Sequence, residues 1–138
     1  MKDNRKPPEK TVGEWLRFAD ENFIVAGHEL EYKNPACHTV CFLCQGAAEK
    51  YLKAYLISKG WELKKTHDIV ELLEYCSDYD EGFDQLIEDG RILNDYITEG
   101  RYPGDISFET IGIEQTKAVY EVAKKIKDFV EKRVKQAG

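Results

Sequence analysis

The sequence predicts an all-α protein, an up-and-down bundle of four long helices and one short helix. Apolar residues recur at intervals of three, four and seven, and no alternating run of strand length competes with that period. Hydrophobic residues make up 42% and charged residues 33% of the 138 residues, a balance typical of a globular domain. Short connections between long amphipathic helices predict that consecutive helices pack antiparallel.

The first helix is predicted to follow a solvated tail, residues 1–10, and the helical domain then spans residues 11–138. Thr11 and Glu14 have the spacing of a capping box, in which each side chain accepts a hydrogen bond from the other residue's backbone N–H. The helix is expected to end near Tyr32. Its buried residues are expected to be Trp15, Phe18, Ala19, Ala26 and Leu30.

The second helix is predicted to start at Asn34, as the N-cap, and Pro35, at the first helical position. It runs to about Lys59, and Gly60 is expected to close it. The apolar residues predicted on its inner side are Val40, Leu43, Ala47, Tyr51, Ala54 and Tyr55.

Thr66 or Asp68 is predicted to cap a short third helix. The fourth helix is expected to stop at Gly100, and its apolar residues are Phe83, Leu86, Ile87, Leu93 and Ile97. An irregular stretch follows, where Pro103 and Gly104 break the helical pattern. The last helix is predicted from apolar residues that recur up to Val134.

The charge of the chain is divided unevenly along its length. The net charge is −6, but the stretch from Thr66 to Gln115 holds fourteen acidic and two basic residues. The stretch from Lys117 to Lys135 holds seven basic and three acidic residues. Nonspecific binding to nucleic acid requires a continuous basic surface that neutralises phosphates, so the acidic middle of the chain disfavours it.

The apolar runs and the cysteines of the sequence bear on its cellular location and on metal binding. No apolar run has the length of a membrane helix, which is about 20 residues, and the N-terminus lacks an apolar signal-peptide region. A cytoplasmic protein with four reduced cysteines is expected. Cys37, Cys41 and Cys44 have the spacing of a radical-SAM iron–sulfur motif, but inside a helix that spacing stacks thiols on one face. We therefore expect neither a metal nor a cofactor.

Two polar motifs have alternative interpretations. Glu49 and Lys53 are four residues apart and predict a solvated ion pair on the second helix; alternatively, Lys50 or Lys53 presents a cation to a phosphate or an acidic partner. His67 lies at a helix boundary, where its imidazole is expected to be exposed. Arg101 either forms an ion pair that stabilises the fold or binds a phosphate or a partner carboxylate.

Three motifs together resemble the small prokaryotic HEPN domain (higher eukaryotes and prokaryotes nucleotide-binding). They are Gln45 to Ala54, Thr66-His67-Asp68-Ile69 and Arg101-Tyr102-Pro103-Gly104. The resemblance implies a helical bundle, usually a homodimer, that is often encoded beside a minimal nucleotidyltransferase in toxin–antitoxin-like or nucleotide-handling systems. The residues it implies for binding a partner or a nucleotide are Glu49, Lys50, Lys53, Thr66, His67, Arg101, Tyr102 and Pro103.

Many HEPN relatives are metal-independent ribonucleases with an Arg-x4–6-His motif, and this sequence has no histidine at that distance after any arginine. Tyr96 follows Arg91 where the histidine would be sought, and an unperturbed tyrosine is a poor base at neutral pH. The expected function is therefore a non-catalytic binding module. The alternatives are a ribonuclease that combines Arg91 or Arg101 with Tyr96 or His67, and an oligomerisation domain without a ligand.

Overall fold

The computed structural model describes residues 11–96 and 111–137, with side chains as far as Val134. These residues contain no strand, which confirms the all-α prediction. Five α-helices and one 3-10 helix follow in chain order: α1 (Val12–Leu30), α2 (Cys37–Ser58), α3 (Ile69–Ser77), the 3-10 helix (Glu81–Leu86), α4 (Ile87–Asn94) and α5 (Ile113–Ala137).

The start of α1 is the predicted capping box. The hydroxyl of Thr11 accepts from the N–H of Glu14 at 3.1 Å, and the Glu14 carboxylate accepts from the N–H of Thr11 at 3.2 Å. The helix ends at Leu30, two residues before the predicted end. Phe18 was wrongly predicted to be buried: its side chain is 46% exposed on the outer side of the helix.

The central element is α2, which packs against α1, α3 and α5. Its start was predicted too early: the helix begins at Cys37 after the N-cap Ala36, whose N–H donates to the Glu29 carboxylate at 2.9 Å. Its end agrees with the prediction, since Gly60 follows with φ +84°, a conformation that only glycine adopts readily. Neighbours on three sides bury most of the α2 surface.

Asp68 is the N-cap of α3, and its carboxylate accepts from the N–H of Glu71 at 3.1 Å. Asn94, at the end of α4, accepts from the N–H of Ile69 at 2.7 Å and donates to the Asp68 carboxylate at 2.8 Å. The start of α3 and the end of α4 are therefore held together by one side chain.

The predicted long fourth helix is divided into the 3-10 helix and the eight-residue α4. Its predicted end at Gly100 is wrong, since α4 ends at Asn94 and residues 95–96 form a turn; residues 97–100 lie outside the described part of the chain. A β-carbon on Gly90 would lie 2.6 Å from Cδ1 of Leu73, so glycine allows α4 to pack closely on α3. The Phe83 ring packs against Tyr55 of α2 and Phe129 of α5, with ring centroids 4.6 and 4.7 Å away.

The 3-10 helix is also tied to α5 by an ion pair. The Arg133 guanidinium lies 3.3 Å from the centroid of the Phe129 ring, and its Nε donates to the Asp80 carboxylate at 2.6 Å. The hydrogen bond from Arg133, followed by that from the Gly82 N–H, lowers the pKa of Asp80. Residues 80–86 are therefore fixed to both α2 and α5.

The cysteines behave as small buried side chains. Cys41, Cys44 and Cys76 are fully buried, Cys37 is half-buried, and all four are free thiols. Burial raises the pKa of the Cys44 thiol to about 12 and also raises that of Cys76. Within residues 11–96 and 111–137, no cluster of three or more His, Cys, Asp or Glu has a metal-binding arrangement. No helix in the same ranges is long and apolar enough to span a membrane.

Candidate functional site

Three of the residues predicted for binding meet around one carboxylate. Glu49 Oε2 accepts from Lys53 Nζ at 2.9 Å, and Glu49 Oε1 lies 2.9 Å from His67 Nδ1. Gln45 donates to the same Oε1 at 3.3 Å and to the His67 carbonyl oxygen at 3.1 Å. Gln45, Glu49 and Lys53 lie on one face of α2 because they are four residues apart. We call Gln45, Glu49, Lys53 and His67 the Glu49 cluster.

The Glu49–Lys53 pair is buried, so the predicted solvated pair is wrong. Glu49 is 9% exposed and Lys53 is 4% exposed. The segment that leads into α3 covers this face through His67, and α1 contributes Trp15, whose ring centroid lies 5.7 Å from Lys53 Nζ. Neighbouring chain segments, rather than the helix itself, remove the pair from water.

Opposing effects act on the ionisation of Glu49. Burial by itself raises its pKa, but the hydrogen bonds from Lys53 and then His67, together with their charges, outweigh burial and lower the pKa overall. Glu49 is therefore ionised at neutral pH and compensates the charge of Lys53. His67 is the member of the cluster that reaches the surface, with 36% of its side chain exposed.

Lys50 and Thr66 have other surroundings. Lys50 Nζ donates to the Asn22 side chain on α1 at 2.9 Å, and burial lowers its pKa, an effect that Glu49 partly opposes. The Thr66 hydroxyl accepts from the N–H of Asp68 and donates to the Glu71 carboxylate, so Thr66 shapes the turn before α3. Arg101, Tyr102 and Pro103 lie outside the described residues and stay predictions.

The residues considered for a variant ribonuclease site have separate environments. Arg91 is mostly exposed, and its Nε lies 3.2 Å from the Glu88 carboxylate. Tyr96 is 7% exposed, and its hydroxyl accepts a hydrogen bond from Gln115 on α5. Burial, chiefly, raises the pKa of Tyr96, which makes the phenol a weaker acid and still less available as a phenolate base.

The sequence did not predict that Gln45 belongs to the Glu49 cluster or that Trp15 contacts it. Gln45 precedes Glu49 by four residues, a spacing that could have indicated its place. Nothing in the sequence indicated that Trp15 contacts Lys53, since the two lie far apart along the chain. The indole Nε1 of Trp15 is buried and has no hydrogen-bond acceptor among the described residues.

A second polar feature is a run of carboxylates along α3, the 3-10 helix and α4. The residues that it exposes to solvent, which we call the acidic segment, are Glu74, Asp78, Glu81, Asp84 and Glu88. Arg91 is the only lysine or arginine between positions 66 and 96. This part of the surface therefore carries more negative than positive side chains, although Lys125 and Arg133 of α5 pair with Asp89 and Asp80 beside it.

The chain is similar to a protein-family model and to solved structures. A family model described as the HEPN domain matches residues 12–133. The crystal structure of ST0689, an archaeal HEPN homologue, has a TM-score of 0.73 at 21% identity and covers 91% of this chain and 99% of that chain. The crystal structure of TT1696 from Thermus thermophilus has a TM-score of 0.73 at 26% identity and covers 88% and 96%, respectively. No curated protein matches the sequence.

Proposed function

This chain belongs to the HEPN domain family, and from that membership we propose that it is a non-catalytic binding module whose partner is a minimal nucleotidyltransferase. The observation that supports the proposal most is the state of the cations. Lys53 is neutralised by buried Glu49, Lys50 is bound to Asn22, and exposed Arg91 lies beside Glu88. None of these described cations is presented unaccompanied to an RNA phosphate.

The acidic segment supports a basic surface on the partner. Complementary potentials speed association and exclude wrong partners more than they raise affinity. The carboxylates of Glu74, Asp78 and Glu81 are exposed, and no ion pair within the described part of the chain engages them. The partner-binding surface that we propose is therefore the acidic segment, and the buried Glu49 cluster lies outside it.

A homodimer forms the second part of the proposal. The outer side of α1 exposes Phe18, Ile24 and Val25, which are each about half exposed although they are large and apolar. A second copy of the chain would cover this surface. Light scattering should then give twice the chain mass of 15.9 kDa, and Val25→Glu should shift the mass to that of one chain. A single-chain mass for the unaltered protein would exclude the dimer.

The partner proposal predicts a charge-dependent complex with a minimal nucleotidyltransferase from the same genome. Calorimetry should show binding that the triple change Glu74→Lys, Asp78→Lys, Glu81→Lys weakens by about 10- to 100-fold, because like charges would then face each other. The loss should shrink as salt is raised, since exposed charges are screened. A matched control reverses three exposed carboxylates elsewhere, Glu31, Glu114 and Glu121, and should bind as the unaltered chain does.

The ribonuclease alternative is favoured by one observation, the imidazole of His67 held at Nδ1 by a carboxylate at a partly exposed position. The two alternatives predict different results in an RNA-cleavage assay. If the protein cleaves RNA without added metal and His67→Gln abolishes the cleavage, the protein is a ribonuclease and not a non-catalytic binding module. The partner proposal has its own contrary result. If the variant at Glu74, Asp78 and Glu81 and the control variant at Glu31, Glu114 and Glu121 weaken the complex equally, the acidic segment is not the binding surface.

A further inference from the structure

A groove lies between α5 and the segment formed by the 3-10 helix and α4. Gln85, Leu86 and Asp89 form one wall, and five residues of α5 form the other. Its volume is about 560 Å³, which falls within the range of roughly 300–1,000 Å³ that is usual for small-ligand pockets. We call it the α5 groove.

Ion pairs connect the two walls at both ends of the α5 groove. Lys125 Nζ lies 3.0 Å from the Asp89 carboxylate, and Arg133 Nε lies 2.6 Å from the Asp80 carboxylate. Lys125 and Arg133 are eight residues apart on α5, so the groove between the two pairs is about 12 Å long. Both pairs are satisfied within the chain, and a ligand has to be recognised by the groups between them.

Three polar side chains between the ion pairs have no partner. Gln85, Asp128 and Lys132 line the groove, are exposed, and make no hydrogen bond or ion pair with the described residues. Asp128 and Lys132 are four residues apart but do not form the ion pair that this spacing allows. An amide, a carboxylate and an ammonium are therefore available to a ligand in one groove.

The α5 groove also has an apolar floor. Leu86 is 5% exposed, and Phe129 is packed against the core and partly buried. Both line the groove together with the three unpaired polar groups. A ligand that complements all of them carries a positive group, a negative group and an apolar side chain.

We infer that the α5 groove binds a short zwitterionic peptide, a dipeptide with an apolar side chain. The Asp128 carboxylate accepts from the ammonium of the dipeptide, and the Lys132 ammonium donates to its carboxylate. Four residues of helix rise about 6 Å, and two residues of extended chain span about 7 Å. The two charges on α5 are therefore spaced like the two ends of a dipeptide.

The remaining lining residues fit the middle of the same ligand. The Gln85 amide has both donors and an acceptor, so it complements a peptide group. The apolar side chain of the dipeptide is covered by Leu86 and Phe129, which removes it from water. A free amino acid has no peptide group and is too short to reach both charges. None of these residues belongs to the acidic segment, so the binding does not depend on the proposed protein partner.

Leucyl-glycine is the probe for this inference. It is titrated into the full chain at constant ionic strength and followed by proton–nitrogen correlation spectra. We expect saturable shifts of the Gln85 side-chain amide and of backbone amides in residues 85–89 and 125–133. The Kd should be on the order of millimolar, as for a small ligand with exposed contacts. Glycyl-glycine, which lacks the apolar side chain, should bind about fivefold more weakly or worse.

Matched peptides and variants identify which charge contacts which. Asp128→Asn should weaken leucyl-glycine by about two- to fivefold, because exposed ion pairs are weak, but should not weaken N-acetyl-leucyl-glycine, which has no ammonium. Lys132→Gln should likewise weaken leucyl-glycine but not leucyl-glycinamide, which has no carboxylate. Lys124→Gln is the control, since this exposed lysine of the same helix does not line the groove. All three positions are at the surface, so the variants should fold.

Three results would overturn the inference. They are the absence of saturable shifts with leucyl-glycine, equal weakening of leucyl-glycine and the acetylated peptide by Asp128→Asn, and equal weakening by Lys124→Gln and Lys132→Gln. No nucleotidyltransferase is present in these titrations. Their failure is therefore distinguishable from failure of the proposed protein-binding function.

Discussion

Lys53→Met should lower the free energy of unfolding by about 3–5 kcal/mol, because it leaves the buried Glu49 carboxylate without its ammonium partner. Urea unfolding followed by circular dichroism measures the change. The matched control is Lys59→Met, which removes an exposed lysine from the end of the same helix and should change the free energy by less than about 0.5 kcal/mol. Equal effects of the two variants would mean that the Glu49–Lys53 pair contributes nothing particular.

Removal of both charges distinguishes a buried pair from a simple packing defect. Lys53→Met with Glu49→Gln should be less destabilising than Lys53→Met alone, since no uncompensated charge remains buried. Acid provides an independent check. The pKa of Glu49 is lower in the folded chain than its ordinary value of 4.5, so its stabilisation is complete above that value and is lost as pH falls through the folded pKa. Glu49→Gln should remove this part of the acid dependence.

Phe83→Ala should cost about 3–5 kcal/mol, because the ring is fully buried and fills the space between Tyr55 and Phe129. The urea midpoint should fall without a change in the slope of the transition. Tyr79→Ala is the control, since this neighbouring aromatic side chain is 47% exposed. A loss below about 1 kcal/mol would show that the site collapses around the smaller side chain.

Phe83→Ala should also loosen the part of the chain that carries the proposed partner-binding surface. Phe83 anchors the 3-10 helix, which carries Glu81 of the acidic segment, to α2 and α5. Its loss should increase amide exchange first in residues 80–94, which the ion pairs Arg133–Asp80 and Lys125–Asp89 would still connect to α5. Faster exchange spread evenly over α1 and α2 would contradict this local role.

Local rules account for the helices that the sequence predicted well. The capping box at Thr11, the cap at Asp68 and the left-handed Gly60 depend on residues within a few positions of each other. Predictions failed where distant residues intervened. Ala36 rather than Asn34 caps α2, and its N–H is bound by Glu29 of α1. The start of the predicted fourth helix is a 3-10 helix, whose Phe83 packs between α2 and α5.

At the candidate site, too, local spacing predicted one contact, whereas distant residues decided the burial. The four-residue spacing of Glu49 and Lys53 correctly predicted their contact, but we expected from the sequence that the pair would be exposed to solvent. Exposure depends on what covers a helix face, and here the cover comes from His67 and Trp15, which lie outside α2. Lys50 and Lys53 were equivalent in the sequence, whereas the structure directs one to Asn22 and the other to Glu49.

The sequence by itself determined the all-helical class, the starts of α1 and α3, the end of α2 and the intrahelical contact of Glu49 with Lys53, because these depend on period and on neighbours along the chain. Only the tertiary structure decided that this pair is buried, that Gln45 and His67 share its carboxylate, and that Trp15 faces Lys53 while its indole N–H has no acceptor among the described residues. Burial and hydrogen-bond satisfaction are properties of surfaces brought together from distant parts of a chain, and no local pattern specifies them.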